Sequence, residues 1–129
     1  MPYQTQATAI GGGTGSAASA DGVLRLDLAM PRELGGPGGR GTNPAQLFAA
    51  GYAASFLAAL REVEPDRVAA DANVTATVSL DAAAMQVTLD LDLPGMDEDE
   101  TKALATRAHA LCLYSRAVRG NVTVRLRVQ

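Results

Sequence analysis

The chain has 129 residues, 47% of them hydrophobic, with a net charge of −3. That length fits one domain, and that hydrophobic share is enough to fill a core. The mild acidity argues against a nucleic-acid surface, which needs a basic stripe. Tryptophan is absent and aromatics are only 4%, so the core must be aliphatic and alanine-rich.

One cysteine excludes an intrachain disulfide and a multi-cysteine metal site. A free thiol fits a reducing compartment, so a cytoplasmic location is expected. The N-terminus lacks a basic region followed by an apolar run, so no secretory signal is expected. The most apolar stretch, Leu47 to Leu60, is too short for the roughly 20 residues of a membrane span.

In chain order, Tyr3 to Ile10 is a weak strand candidate. Gly11 to Gly15 reads as a turn. It lacks the lysine and spacing of a phosphate-binding loop. Val23 to Leu28 alternates Leu24, Leu26 and Leu28 with Arg25 and Asp27, the pattern of a half-buried strand. Gly35 to Gly41 holds five glycines and must be a loop, either lying over a pocket or running across the surface.

A helix then starts sharply. Asn43 is a good N-cap, Pro44 sits where a missing N–H costs nothing, and Gln46 completes a capping box. This helix runs to about Arg61 and is apolar almost all round, as expected of a helix covered on every face. It is covered either by a sheet or by a second subunit.

Val74 to Leu80 and Val87 to Leu93 alternate apolar with polar residues and read as a hairpin. Asp97 with Glu100 predicts a second capping box. Leu104, Ala108 and Leu111 form the expected buried stripe of that helix, with Cys112 at its C-terminal end. Gly120 and Asn121 turn into a last strand, with Val122, Val124, Leu126 and Val128 inward. If that strand pairs with the hairpin's second strand, Arg125 and Arg127 can meet Asp90 and Asp92. The sum is an α+β domain with antiparallel pairing.

Few residues offer chemistry. Cys112 is either a small apolar core residue or a reactive thiol. A helix C-terminus opposes a thiolate, while Arg116 and Arg119 are near enough in sequence to favour one. Ser55 reads as a small residue permitting close helix approach. As a nucleophile it would need a base. His109, the only histidine, reads as a structural or surface residue rather than a catalyst. One histidine and one cysteine make a zinc site improbable. No cofactor is expected.

The motifs LAMPRELGGPGG, TNPAQLFAAGYAASF, LPGMD and CLYSRAVRGN occur in the order and spacing of the Ohr (organic hydroperoxide resistance) branch of the OsmC/Ohr family, which the chain resembles from about Tyr3 to Val128. The resemblance implies a single domain over residues 1–129. It implies antiparallel sheets around two central helices in an intertwined homodimer, with sites at the subunit interface. It also implies a peroxidase site of two cysteines, an arginine and a glutamate.

Ser55 stands at the peroxide-attacking cysteine and Cys112 at the resolving cysteine. Gly13 stands at the arginine and Ala45 at the glutamate. Leu113 replaces the proline that usually follows the second cysteine. The expectation is therefore a dimer without ordinary thiol peroxidase activity. Gly13, Ala45, Tyr52 and Phe56 would line a pocket for a small hydrophobic ligand or an organic hydroperoxide. The alternative is a reductase acting through Cys112 with an external thiol partner such as a lipoylated protein. Nucleic acid and membrane are not expected as partners.

Overall fold

The structure, a computed structural model, describes residues 2–11 and 14–129. It is α+β and divides into two compact units, Met1–Leu47 and Phe48–Gln129.

The first unit holds an antiparallel sheet of β1 (Ala7–Gly11), β2 (Thr14–Ser19) and β3 (Arg25–Ala29), in that order. The glycine cluster, expected as a turn only, also supplies the start of β2. There Gly15 lies opposite Gly11, too close to the Ile10 carbonyl for any Cβ. The small, polar composition of β2 gave no alternation to read.

After a short 3-10 turn at Arg32–Leu34, the glycine-rich loop folds back along β3. The Gly38 N–H donates to the Met30 carbonyl at 3.0 Å, and the Ala29 N–H donates to the Thr42 carbonyl at 3.1 Å. The glycines thus allow a strap hydrogen-bonded to its own strand, a close approach that side chains would block.

At the end of this unit α1 (Pro44–Val63) begins as expected. The Gln46 N–H donates to Asn43 Oδ1 at 2.9 Å, and the Asn43 N–H donates back to Gln46 Oε1 at 3.4 Å. Both halves of the capping box are present.

The second unit contains the rest of α1, then β4 (Asn73–Leu80), β5 (Met85–Asp92), α2 (Glu98–Leu111), α3 (Leu113–Val118) and β6 (Thr123–Val128). The sheet order is β4-β5-β6. β4 and β5 form the antiparallel hairpin, but β6 runs parallel to β5, against the uniformly antiparallel expectation. The reason is topological. A helical crossover returns the chain to the end of the sheet where β5 began.

Register places Asp90 opposite Arg127, and the guanidinium grips the carboxylate at 2.7 and 3.0 Å. Asp92 instead accepts from Asn73 Nδ2 at 3.2 Å. Arg125 lies opposite Thr88 and not opposite an aspartate.

The core of this unit joins Tyr52, Phe56, Ala59 and Leu60 of α1 to Val87, Leu89 and Leu91 of β5 and Leu104, Ala105 and Ala108 of α2. Alternation along β5 makes this possible, because every second side chain faces the helices. Leu111, expected in the buried stripe, is instead 42% exposed, because α2 ends there and the chain turns away.

Candidate functional site

The candidate site lies where α1 meets the joint between α2 and α3. Asp97 starts α2 with a complete capping box, so its register is fixed from the first turn. The helix runs until Cys112, whose ψ of 126° leaves helical space. Cys112 is both the last cap of α2 and the residue before α3. Its N–H still donates to the Ala108 carbonyl at 2.7 Å, while its carbonyl accepts from the Arg116 N–H at 3.0 Å. The two helices are therefore hinged at the cysteine. The sequence offered no breaker here, and α3 was not anticipated.

Two polar side-chain contacts cross from α1 to this joint. Ser55 Oγ lies 3.5 Å from Cys112 Sγ. One turn earlier along α1, Tyr52 Oη lies 2.6 Å from Ser115 Oγ, and His109 Nδ1 lies 2.8 Å from the same Ser115 oxygen. The spacing repeats on both sides, Tyr52 to Ser55 and Cys112 to Ser115, so the rungs sit one helical turn apart.

Cys112, Tyr52 and Ser115 are buried, Ser55 and His109 half-buried. The Tyr114 ring approaches Gly51 and tilts at 52° to Tyr52 with centroids 6.0 Å apart. Glycine at position 51 leaves room for it.

Electrostatics orders the second rung. Burial pushes the Tyr52 phenol above its ordinary value, outweighing the Ser115 hydrogen bond, so it keeps its proton. Burial also pushes the His109 imidazole down, and the Arg119 guanidinium adds to that. With His109 neutral and its proton on Nε2, Tyr52 donates to Ser115 and Ser115 donates to Nδ1. In this arrangement both hydrogens of the two contacts have an acceptor. Ser115 has no exposed surface, so despite its imidazole partner it cannot attack a substrate.

The residues singled out from sequence divide accordingly. Ser55 and Cys112 come together. Ala45 lies in the first turn of α1 and is half-buried. Gly13 lies outside the described residues. Tyr52 and Phe56 are fully buried in the core, and the Tyr52 hydroxyl contacts Ser115. Sequence reasoning missed Ser115 altogether and read His109 as a structural or surface residue without naming a partner. No spacing rule pairs them, because i, i+6 lies on different faces of a continuous helix and only the break at Cys112 brings them together. Among the described residues no cluster of histidine, cysteine and carboxylates could hold a metal ion, and no helix is long and apolar enough to cross a membrane.

A family model described as OsmC-like protein matches residues 36–127. The chain belongs to the OsmC-like family. It is 45% identical over 131 residues to an organic hydroperoxide resistance protein of Xanthomonas axonopodis pv. citri, covering 96% of this chain and 92% of that relative.

Among solved structures, an organic hydroperoxide resistance protein from Legionella pneumophila superposes with a TM-score of 0.91 at 48% identity, covering 98% of this chain and 97% of the other. One from Vibrio cholerae, with captopril bound in one of its active sites, gives 0.86 at 41% identity, covering 99% and 92%. The OsmC-family chain is thus related to proteins of organic hydroperoxide resistance.

Proposed function

We propose that this OsmC-family protein works without ordinary two-cysteine peroxidase turnover and binds a small hydrophobic molecule at the interface of a homodimer. The carrying observation is the contact of Ser55 Oγ with Cys112 Sγ at 3.5 Å. A hydroxyl stands where a second sulfur would be needed. A serine hydroxyl stays protonated at neutral pH, forms no sulfenic acid and cannot close a disulfide. The absence of an arginine at Gly13 and of a carboxylate at Ala45 supports the same reading, since a guanidinium held by an anion is what favours a thiolate.

Ligand binding and dimerisation draw support from exposed apolar surface. Leu113 is 69% exposed, with Leu111 and Tyr114 beside it, next to the Cys112 joint. Residues of this kind in a cluster favour an apolar ligand or partner. The captopril held by the Vibrio cholerae relative supports a small-molecule site in this fold.

The test is lipoamide-dependent reduction of cumene hydroperoxide by the unaltered protein, by Ser55→Cys, and by the triple variant Gly13→Arg, Ala45→Glu, Ser55→Cys. The expected order is negligible, small and substantial turnover. Robust turnover by the unaltered protein would overturn the reading and make Cys112, with an external thiol, the working nucleophile. Sedimentation of a stable folded monomer at micromolar concentration would remove the dimer.

A further inference from the structure

The Tyr52–Ser115–His109 chain has a property that the Ser55–Cys112 contact lacks: it counts protons. Two contacts, at 2.6 and 2.8 Å, join three polar groups. With His109 neutral, the phenol and the hydroxyl bring one hydrogen each, and both are accepted. A second proton on the imidazole puts a third hydrogen into the same two contacts. One of them is then stranded among buried atoms, because Tyr52 and Ser115 have no access to water.

We propose that this chain is a pH-sensitive latch: it seats α3 against α1 while His109 is neutral, and frees the Cys112 joint when His109 is protonated.

The surroundings favour the neutral imidazole. From α3 it meets the Ser115 hydroxyl, and beyond the end of α3 the Arg119 guanidinium repels a second positive charge. From α1 it is reached, through Ser115, by the Tyr52 phenol, beside which lies the Cys112 thiol. On α2 itself, Arg107 is turned to Glu64, with Nη1 and Oε1 at 3.3 Å.

His109 sits below its ordinary value of 6.5 in the folded chain. The unfolded chain therefore takes up the proton first as pH falls. The stability given by the neutral latch is complete above the ordinary value and is lost as pH drops through the lowered one. The latch engages the one joint that carries the thiol, so its state should be legible at Cys112.

The chain holds a single histidine and a single cysteine, so each reports without ambiguity. The experiment follows the His109 imidazole by NMR from pH 8 to pH 4.5. In parallel it measures the labelling rate of Cys112 by 4,4′-dithiodipyridine, divided by the rate for an unstructured cysteine peptide at each pH. The expected result is a midpoint below that of free histidine. Relative labelling should rise on the order of tenfold across the same midpoint, the scale set by one unmade buried hydrogen bond. His109→Gln should flatten the labelling profile over that range, and Ser115→Ala should raise the His109 midpoint. Labelling that stays flat through the His109 titration, or an acid response that persists in His109→Gln, would overturn the proposal.

Discussion

Ser55 Oγ and Cys112 Sγ lie 3.5 Å apart, between residues separated by 57 positions in the chain. A disulfide needs about 2.0 Å between its sulfurs, so a second thiol here has only a short distance to close. Ser55→Cys should therefore oxidise to a 55–112 bridge under mild oxidant, even if it turns over peroxide slowly. Constraining so long a loop is worth about 4 kcal/mol in the chain-entropy model. Mass spectrometry should find the loss of two hydrogens, and reducing agent should lower the melting temperature. Two free thiols persisting after oxidation would mean that the helices hold the positions apart.

Tyr52 and Ser115 are buried partners that do not fail alike. Tyr52→Phe removes one hydrogen and leaves Ser115 donating to His109, so its cost should be about 1 kcal/mol. Ser115→Ala leaves the buried phenol with a proton and no acceptor, which should cost about 2–3 kcal/mol. The double variant should cost less than the sum of the two. Urea denaturation of the three variants would decide the order. Equal costs for the two single changes would contradict it.

Leu113 opens α3 directly after a residue whose ψ is 126°. That extended backbone is what a proline imposes on its predecessor, and the first position of a helix tolerates proline. Leu113→Pro should accordingly stabilise the protein by about 0.5–1 kcal/mol, mainly by restricting the unfolded chain. A lower midpoint in thermal unfolding would show that the Leu113 side chain contributes packing that the ring cannot replace.

Much of this was legible in sequence where a local rule acted alone. The capping boxes at Asn43 and Asp97 and the hairpin pattern from Val74 to Leu93 follow from spacing, whereas of the charges expected to meet if the last strand paired with the hairpin only Asp90 and Arg127 do so. What escaped were features set by tertiary packing. The strand at Thr14–Ser19 carries no apolar alternation. The break at Cys112 has neither glycine nor proline to announce it. Leu111 looks like the next member of a buried stripe and is lost to solvent only because the helix stops. Ser115 is a small polar residue on a short helix, and nothing in the sequence says that a phenol 63 positions away is its partner.

The parallel pairing of β6 with β5 sets an order of events. β4 and β5 are joined through a turn in which Asp81 accepts from the Ala83 and Ala84 N–H groups, so their pairing closes only a short loop. Every rung between β5 and β6 spans the whole helical crossover, as the 37 positions between Asp90 and Arg127 illustrate. Loop closure costs more for the longer excursion, and contacts of high sequence separation form late. During synthesis β5 keeps one bare edge until residues 123–128 emerge, and α2 must hold its place over an unfinished sheet. Pulse-labelled hydrogen exchange should then find β4 amides protected ahead of those in β6. The capping box at Asp97 and the acidic first turn favour α2 from its own N-terminus during that interval.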